Sequence, residues 1–406
     1  MEVTRKKIFY INVEANFGST GKIVESLGQL AQRKGSTTYL AHGRKYRASK
    51  LITYKIGNLF TYGFHFLLSI LFDGQGRGSY LATKHLVRRI NKIKPDVIHL
   101  HNIHGYYINY KVLFRYLEHY NGILIWTLHD CWALTGHCTH YDHVGCEKWK
   151  VECHSCPQQN KYPTSLLLDR SRKNHQKKKQ YFSLPTNLKI ITVSNWLNRQ
   201  VKQSFLSNIN TQTIYNGIDT SIFKKKYNST LREQFHIDNK FIILGVASVW
   251  SETKGLSDFI KLSKTLKENE KIVLIGLSKN QISKLPISII GLERTDTLEI
   301  LVEWYSTANV YVNTSYEETF GMTTVEAMAC GTPAVVYNST ACDECITNEV
   351  GFSVEKSNIT QLKNALEIIK TKGNGFYDEP CRRHVEENFE KNNRYKEYLK
   401  LYEIDV

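Results

Sequence analysis

The sequence predicts an α/β protein of two domains, each built on a parallel β-sheet. The chain has 406 residues, a length typical of two domains. Short apolar runs alternate with helix-forming segments along the whole chain, as in β-α-β units. The alternation restarts after a polar, basic stretch at 225–239 that resembles a linker. We therefore expect a first domain at 1–220, a second at 221–385 and a terminal helix at 386–406.

In the first domain, breakers and caps separate the elements. Lys94-Pro95 ends a basic helix, Ser194-Asn195 caps another, and Asn216-Gly217 is a turn. The expected strands are 8–13, 38–41, 97–101, 123–128, 189–193 and 213–215, and the expected helices are 22–33, 84–94 and 111–120. The apolar segment 59–72 is interrupted by polar residues and is shorter than the roughly 20 residues that span a bilayer. We expect it to be a buried helix, with a helix in the membrane interface as the alternative.

The second domain repeats the pattern. Its expected strands are 241–247, 271–275, 288–290, 310–313, 334–337 and 351–354, and its expected helices are 255–266, 298–306, 325–329 and 360–370. The segment 381–402 is expected to form one helix.

Composition limits the partners and the compartment. The formal charge is +16, from 54 basic and 38 acidic residues, which favours nucleic acid, an anionic membrane or phosphorylated substrates. The first seven residues lead directly into a strand, so we expect no signal peptide. Nine cysteines without an export signal predict free thiols in a cytoplasmic protein.

Two carboxylates, Glu318 and Glu326, stand on either side of a Phe320-Gly321 turn between a buried strand and a helix start. In a parallel sheet this turn lies at the carboxyl ends of the strands, where ligands bind, and the helix start favours an anion. Glu326 is suited to the paired hydroxyls of a ribose, and Glu318 to those of a sugar. The segment therefore predicts a nucleotide-sugar site, with solvated surface glutamates as the alternative.

The loop 16–22 after the first strand is rich in glycine. It lacks the spacing of a P-loop, because only two residues separate Gly18 from Gly21 and Ile23 follows the lysine. Both glycines would let a ligand approach the backbone, although a plain tight turn explains them equally well. Histidines end two strands of the same domain, and we select His129 and His101 as site candidates over the alternative of core histidines.

Five cysteines crowd into residues 131–156, and Cys153 and Cys156 form a C-x2-C pair typical of structural zinc. The predicted ligands are Cys138, Cys146, Cys153 and Cys156. Free or partly buried thiols, a disulfide and a catalytic thiol remain alternatives.

The segment Glu318–Pro333 resembles the E-x7-E signature of retaining GT-B glycosyltransferases of glycosyltransferase family 4. The resemblance runs from Phe9 to Phe389 and includes Asn216–Asp219 and Lys254-Gly255. The cysteine segment is similar to a subgroup that builds bacterial surface polysaccharides. The resemblance implies two Rossmann-like domains facing across a cleft, with the terminal helix packing back on the first domain.

The resemblance also implies roles. His129 and Glu318 would be the catalytic residues. Gly18, Gly21 and His101 would lie near the acceptor and the donor phosphates. No cofactor would be needed for catalysis. The family's usual arginine is absent after the first strand of the second domain, so Arg294 is a candidate to replace it. The implied donor-binding residues are Lys254, Arg294, Phe320, Gly321, Met322 and Glu326.

The expected activity is transfer of a hexosyl group from a nucleotide-diphosphate sugar to a glycan or lipid-linked oligosaccharide. The basic run 170–179 is typical of a solvated helix face, with a surface that meets anionic lipid or a pyrophosphate-linked acceptor as the functional alternative. We expect the protein to lie peripherally at the inner face of the membrane. The alternatives are a sugar-nucleotide 2-epimerase of the same fold and a zinc-bearing nucleic-acid-binding protein. We expect no nucleic-acid partner, because the basic run lacks interleaved aromatic residues.

Overall fold

The computed structural model describes residues 5–373 and 375–405. The chain divides into two units. The first runs to Ile214 and also includes the segment from Tyr395 onward, and the second is Tyr215–Arg394. The boundary therefore falls six residues before the expected end of the first domain, and the second unit extends nine residues beyond residue 385.

The first unit is a seven-stranded parallel sheet with helices on its connections. Its strands are β1 Lys7–Asn12, β2 Thr37–His42, β3 Ile52–Lys55, β4 Val97–Leu100, β5 Ile123–Leu128, β6 Leu188–Thr192 and β7 Asn210–Thr213. Its helices are α1 Gly18–Arg33, α2 Leu59–Phe72, α3 Tyr80–Ile93, α4 Tyr110–Leu117, α5 Ser171–Phe182 and α6 Asn195–Lys202. The strand order is β3-β2-β1-β4-β5-β6-β7.

The second unit is a six-stranded parallel sheet. Its strands are β8 Phe241–Val246, β9 Glu270–Ile275, β10 Ile289–Leu292, β11 Val310–Asn313, β12 Ala334–Tyr337 and β13 Gly351–Val354. Its helices are α7 Leu231–Gln234, α8 Leu256–Ser263, α9 Lys279–Ile282, α10 Leu298–Thr307, α11 Met322–Ala329, α12 Ile359–Lys372 and α13 Asp378–Asn388, and a last helix, α14, spans Lys391–Leu401. The strand order is β10-β9-β8-β11-β12-β13. Two Rossmann-like α/β units confirm the predicted fold class.

Each sheet changes its winding direction once, between β1 and β4 in the first unit and between β8 and β11 in the second. Loops that leave the carboxyl ends of such neighbouring strands diverge to opposite faces of the sheet and leave a crevice between them. Ligand sites are therefore expected after Asn12 and Leu100 in one unit, and after Val246 and Asn313 in the other.

The last helix completes the core of the first unit. Tyr398, Leu399 and Tyr402 are buried in one hydrophobic cluster with residues of β1, α1 and β2. The Tyr402 hydroxyl also lies 2.6 Å from Nδ1 of the buried His99 on β4. The carboxyl end of the chain is thus a structural part of the amino-terminal fold.

The structure corrects two predictions about helices. The segment 59–72 is helical but not buried: only His65 and Ser69 are inside, and Phe60 is 88% exposed. The segment 381–402 is two helices rather than one. They break beside Ile218, whose N–H donates to the carbonyl of Phe389 and whose carbonyl accepts from Lys391 N–H.

The segment 225–239, which was expected to be a linker, belongs to the second unit and contains α7. Arg232 fixes it there by donating to carbonyl oxygens including that of Thr307, at 2.9 Å. Strand β3 was not predicted, since its residues are half-buried or exposed and show little apolar alternation. No helix among the described residues has the length and apolar character to cross a membrane.

Candidate functional site

The crevice of the second unit contains an ion pair between Lys254 and Glu318. The Lys254 ammonium contacts Oε1 of Glu318, and Ser315 Oγ donates to the same oxygen at 3.1 Å. The two side chains are 30% and 21% exposed. Burial opposes the charge of Lys254, but the Glu318 carboxylate outweighs it, so the pKa of Lys254 is raised above its usual value. Lys254 is therefore charged at neutral pH.

Gly255 explains how Lys254 reaches this position. Its φ is +70°, and a β-carbon there would lie 2.2 Å from the carbonyl oxygen of Thr314. The Thr314 hydroxyl lies 3.1 Å from the carbonyl oxygens of both Lys254 and Gly255. Only glycine allows the loop after β8 to pack this closely on the end of β11.

The segment that carries Glu318 is fixed on both sides. Thr340 Oγ1 accepts from Glu318 N–H and donates to Glu318 O, both at 2.8 Å. The ring of Phe320 is only 2% exposed and packs 5.9 Å from Tyr215 and 5.8 Å from Phe389. The side chain of Phe320, included in the predicted donor-binding set, is thus placed in the core, where it anchors the turn.

The amino end of α11 faces the same crevice. Gly321 precedes the helix with φ +94°, and its carbonyl accepts from Thr324 N–H at 3.0 Å. Among the described residues, no side chain caps the first turn of the helix. Backbone N–H groups at Met322 and Thr323, together with the helix dipole, therefore make this end suited to an anion.

Glu326 lies one turn further along α11 and is half-buried. The hydroxyl of Tyr305, which is fully buried on α10, donates to its Oε2 at 2.9 Å. Burial raises the pKa of Tyr305 well above its usual value, so the phenol keeps its proton and acts as the donor. The pattern around Glu326 does not predict Tyr305, because the two residues are on different helices.

Arg294 does not join this group. It is exposed in the loop after β10, the edge strand of the sheet. No hydrogen bond or ion pair in the described part of the chain connects it to Lys254 or Glu318. The hypothesis that it replaces the missing arginine stays a prediction.

In the first unit, His101 and His129 end the neighbouring strands β4 and β5. Nδ1 of His101 lies 3.0 Å from Nε2 of His129, so one ring donates to the other. Burial is the main reason that the pKa of His129 is lowered to about 4 and that of His101 well below its usual value. Both rings are neutral at physiological pH, and Nε2 of His101 has no hydrogen-bond partner among the described residues.

A contact between a histidine and an aspartate beside them was not predicted. Nε2 of His104 lies 2.8 Å from Asp130 Oδ2, and its Nδ1 lies 3.2 Å from the hydroxyl of Tyr162. Burial would raise the pKa of Asp130, but His104, His140 and the N–H of Trp132 together outweigh burial and lower it to about 2. The tandem His-Asp at 129–130 indicated that Asp130 lies beside the site, but nothing in the sequence identified His104 as its partner.

The glycine loop lies at the end of β1. A β-carbon on Gly18 would lie 2.9 Å from Glu14 Oε2, and one on Gly21 would lie 3.2 Å from Glu14 O. Both glycines therefore allow the loop to fold closely over the start of α1. Lys45 and Arg47 lie over the Phe17 ring at 4.6 Å and 5.8 Å, which adds positive charge at this helix start.

The four predicted zinc ligands line one small cavity in the segment after β5. Its volume is about 10 Å³, and Cys138, Cys146, Cys153 and Cys156 all border it. None of the nine cysteines, all of which the structure describes, forms a disulfide. Within residues 5–373 and 375–405, no group of three or more His, Cys, Asp or Glu side chains is already arranged to hold a metal ion.

Two sequence families match the chain consecutively. Residues 28–222 match Glycosyltransferase Family 4, and residues 228–392 match Glycosyl transferases group 1.

Among curated relatives, the capsular polysaccharide biosynthesis glycosyltransferase CapM of Staphylococcus aureus is 26% identical over 195 residues, 44% of this chain and 51% of CapM. The N,N'-diacetylbacillosaminyl-diphospho-undecaprenol alpha-1,3-N-acetylgalactosaminyltransferase of Campylobacter jejuni is 27% identical over 188 residues, 42% and 46% of the two chains. The chain thus aligns with about half the length of these relatives.

Solved structures show the same fold over the whole chain. Sucrose-phosphate synthase from Thermosynechococcus elongatus has a TM-score of 0.72 at 18% identity and covers 98% of both chains. Anabaena Alr3699/HepE in complex with UDP and glucose has a TM-score of 0.67 at 15% identity, over 98% of this chain and 99% of that one. The chain therefore belongs to the glycosyltransferases of GT-B fold that join a family 4 domain to a group 1 domain.

Proposed function

We propose that this protein transfers a hexosyl group, with retention of anomeric configuration, from a nucleoside-diphosphate sugar to a hydroxyl of a lipid-linked oligosaccharide. The product would be a bacterial surface polysaccharide. The observation that carries the proposal is the constellation in the second unit. Lys254, Glu318, the uncapped start of α11 and Glu326 all lie at the carboxyl edge of the sheet, around its change of winding direction.

These groups match the parts of the donor in order. The first N–H groups of α11 and the Lys254 ammonium would bind the diphosphate, whose charge grows as the glycosidic bond breaks. Glu326, oriented by Tyr305, would accept hydrogen bonds from the ribose hydroxyls. When a phosphate replaces Glu318 as the partner of Lys254, the Glu318 carboxylate becomes able to accept from hydroxyls of the sugar.

Two comparisons support the donor and acceptor classes. Anabaena Alr3699/HepE, which shares the fold, binds UDP and glucose, and the Campylobacter jejuni relative is named for a diphospho-undecaprenol acceptor. By analogy we infer a uridine- or other nucleoside-diphosphate sugar as the donor. The acceptor would carry its oligosaccharide on a polyprenyl diphosphate.

A lipid-linked acceptor requires the enzyme to reach a membrane surface, and α2 offers apolar contacts for it. Leu59, Phe60, Phe64 and Leu67 are 81%, 88%, 62% and 53% exposed. The neighbouring loop adds Leu166 and Leu167, and the Leu166 N–H donates to the carbonyl of Ile70 at 2.7 Å. Helix α3, which follows α2 in the chain, carries Lys84, Arg88, Arg89 and Lys92. Exposed aromatic residues near basic ones are typical of peripheral binding to anionic lipid.

Donor binding tests the central part of the proposal. Thermal unfolding of the full chain is measured against a panel of UDP-, GDP- and other nucleotide sugars. One member should raise the midpoint, because a ligand that binds only the folded state stabilises it. Glu318→Gln should then reduce turnover on a polyprenyl-linked acceptor by more than it reduces donor affinity. Unchanged turnover in this variant, or release of a free epimer without an acceptor, would contradict the transferase assignment.

Membrane contact is tested separately by sedimentation with vesicles of phosphatidylglycerol and phosphatidylcholine. The double variant Phe60→Ser/Phe64→Ser should reduce the bound fraction several-fold. Tyr227→Ser, which removes an aromatic side chain that is 83% exposed on the second unit, is the matched control and should leave binding unchanged. If Phe60→Ser/Phe64→Ser bound the vesicles as well as Tyr227→Ser did, α2 would not be the contact surface.

A further inference from the structure

We propose that Cys138, Cys146, Cys153 and Cys156 hold one zinc ion as thiolates, and that this ion organises the segment between β5 and α5. The proposal concerns the first unit only and does not depend on the donor site. Its basis is the convergence of these four side chains, the polar groups around them and the nature of the segment they belong to.

The four thiols come from different places in the segment and meet at one cavity. Cys138 lies fifteen residues before Cys153, yet both are more than nine-tenths buried and both border the same space of about 10 Å³. The side chain of Cys138 is hydrogen-bonded to that of Cys156. A cavity of this size suits a single ion rather than an organic ligand.

Two neighbouring groups would offset negative charge on sulfur. The N–H of Gly136 donates to Sγ of Cys153 at 3.2 Å. Gly136 is required there, since a β-carbon would lie 2.0 Å from the carbonyl oxygen of Ser171. The amino group of Lys178 is fully buried nearby and donates to the carbonyls of Trp132 and Thr135 at 2.6 Å and 2.9 Å. Four thiolates around Zn²⁺ carry a net charge of minus two, which this amino group and N–H donors would offset.

The segment has little other regular structure to hold it. Between the end of β5 at Leu128 and the start of α5 at Ser171 the described elements are two short 3-10 turns, at Asp142–Val144 and Lys148–Lys150. A connection of this length without helices or strands is uncommon in a folded domain. A structural metal supplies the missing constraint, because its binding energy is available only when the ligands are brought together.

Binding requires a defined chemical change. The described thiols are not yet arranged as a metal site, and the side chains of Cys138 and Cys156 are hydrogen-bonded to each other. Zn²⁺ replaces the protons of the thiols, so that one ion binds, up to four protons leave and no electron is transferred. Zinc is the expected metal because it prefers sulfur ligands in a tetrahedral arrangement.

Metal analysis of the full-length protein, purified with a phosphine reductant and no added chelator, tests the proposal. We expect about one zinc per chain, a lower unfolding midpoint after chelation, and a Co²⁺ derivative with strong sulfur-to-metal absorption. Such absorption marks thiolate ligation, as expected of a tetrahedral site with sulfur ligands. Cys156→Ser should lose most of the metal. Cys131→Ser is the control, because Cys131 is buried in the same segment but does not border the cavity.

If the cysteine variants do not fold, titration of the unaltered protein with a mercurial reagent provides the same information. Zinc should be released in proportion as four thiols react. Protein without zinc, a Cys138–Cys156 disulfide under these reducing conditions, or full zinc content in Cys156→Ser would overturn the proposal. Donor binding can be measured on the same samples, so the failure of the zinc proposal is distinguishable from the failure of the proposed function.

Discussion

At the scale of single residues, Lys254 and Glu318 neutralise each other at the end of β11. Each group has its charge satisfied in the absence of ligand, so the crevice needs no counterion to remain folded. In the proposed donor complex, a diphosphate would offer Lys254 a more highly charged partner and leave Glu318 able to accept from sugar hydroxyls. The same two residues would then bind different parts of one donor.

Glu326→Gln should weaken donor binding by about tenfold to a hundredfold. The change keeps the shape of the side chain but removes a charged acceptor, and hydrogen bonds to charged groups contribute about 1.5–3 kcal/mol. Isothermal titration with the nucleoside diphosphate alone is the measurement. Tyr305→Phe should have a smaller effect, since it removes only the group that orients Glu326. Unchanged affinity in Glu326→Gln would show that the ribose does not bind there.

Acidification should destabilise the first unit through its buried histidines. Burial lowers the pKa of His129 and of His65 to about 4, whereas an unfolded histidine titrates near 6.5. Between these values the unfolded state binds more protons, so stability falls as the pH is lowered from about 6.5 to 4. Denaturant midpoints at pH 7 and pH 5 measure the effect.

The control for this prediction is His119→Gln, which alters an exposed ring and should leave the pH dependence unchanged. His65→Gln should reduce it. A midpoint that stays constant between pH 7 and pH 5 would contradict the burial of neutral histidines.

Site residues that belong to a motif could be predicted from the sequence. Residues that only contact a motif residue in the folded structure could not. The spacing of Glu318 and Glu326 around a glycine turn indicated their chemistry. Tyr305 and His104 contact Glu326 and Asp130 from elsewhere in the chain, and a tyrosine on a helix or a histidine on a loop carries no such indication by itself.

At the scale of elements, two glycines shape the loops at the donor crevice, and the cost of replacing them should differ. Gly255→Ala places a β-carbon against Thr314 and also strains a backbone at φ +70°. We expect a loss of at least about 1–2 kcal/mol of stability together with displacement of Lys254. In Gly321→Ala the added β-carbon would lie 3.6 Å from its nearest neighbour, Thr324 Oγ1. This variant should therefore suffer backbone strain at positive φ but no steric clash.

Gly63→Ala is the matched control for these changes. Gly63 lies within α2, and a β-carbon added there would have no other atom within 4 Å, so alanine should raise stability by about 0.5–1 kcal/mol. Urea denaturation compares the three variants. A Gly255→Ala protein as stable as the unaltered one would show that the loop can shift away from β11.

Helix α2 shows why the period and polarity of a segment do not determine its burial. Its residues are apolar enough for a core, and a buried helix was therefore predicted. Only the side with His65 and Ser69 is buried, and the His65 ring contacts the loop residues Ser79 and Tyr106. That polar side chains are in contact and large apolar ones are outside follows from tertiary packing, which the sequence does not display.

At the scale of the whole molecule, the segment from Tyr395 onward packs in the core of the first unit. Tyr395, Tyr398, Leu399 and Tyr402 are buried with the core of the first unit. The alternating pattern of strands and helices was sufficient to predict two parallel sheets and most strand positions. It did not define where one unit ends, because the boundary at residues 214–215 falls within a segment that reads as a continuous strand and turn.

Tyr402→Phe should destabilise the protein by about 1–3 kcal/mol, because it leaves the buried His99 Nδ1 without its partner. Tyr46→Phe, at a ring that is 55% exposed, is the control and should change stability by less than about 0.5 kcal/mol. Deletion of residues 395–406 should prevent soluble expression of the first unit. A soluble, equally stable deletion protein would show that the terminal segment is dispensable.

The most direct test of the donor site is a crystal structure of the protein with a nucleoside diphosphate. The account predicts phosphate oxygens at the N–H groups of Met322 and Thr323 and near the Lys254 ammonium, with the ribose hydroxyls on Glu326. A diphosphate bound elsewhere, with the Lys254–Glu318 pair intact and the start of α11 free of phosphate, would contradict it.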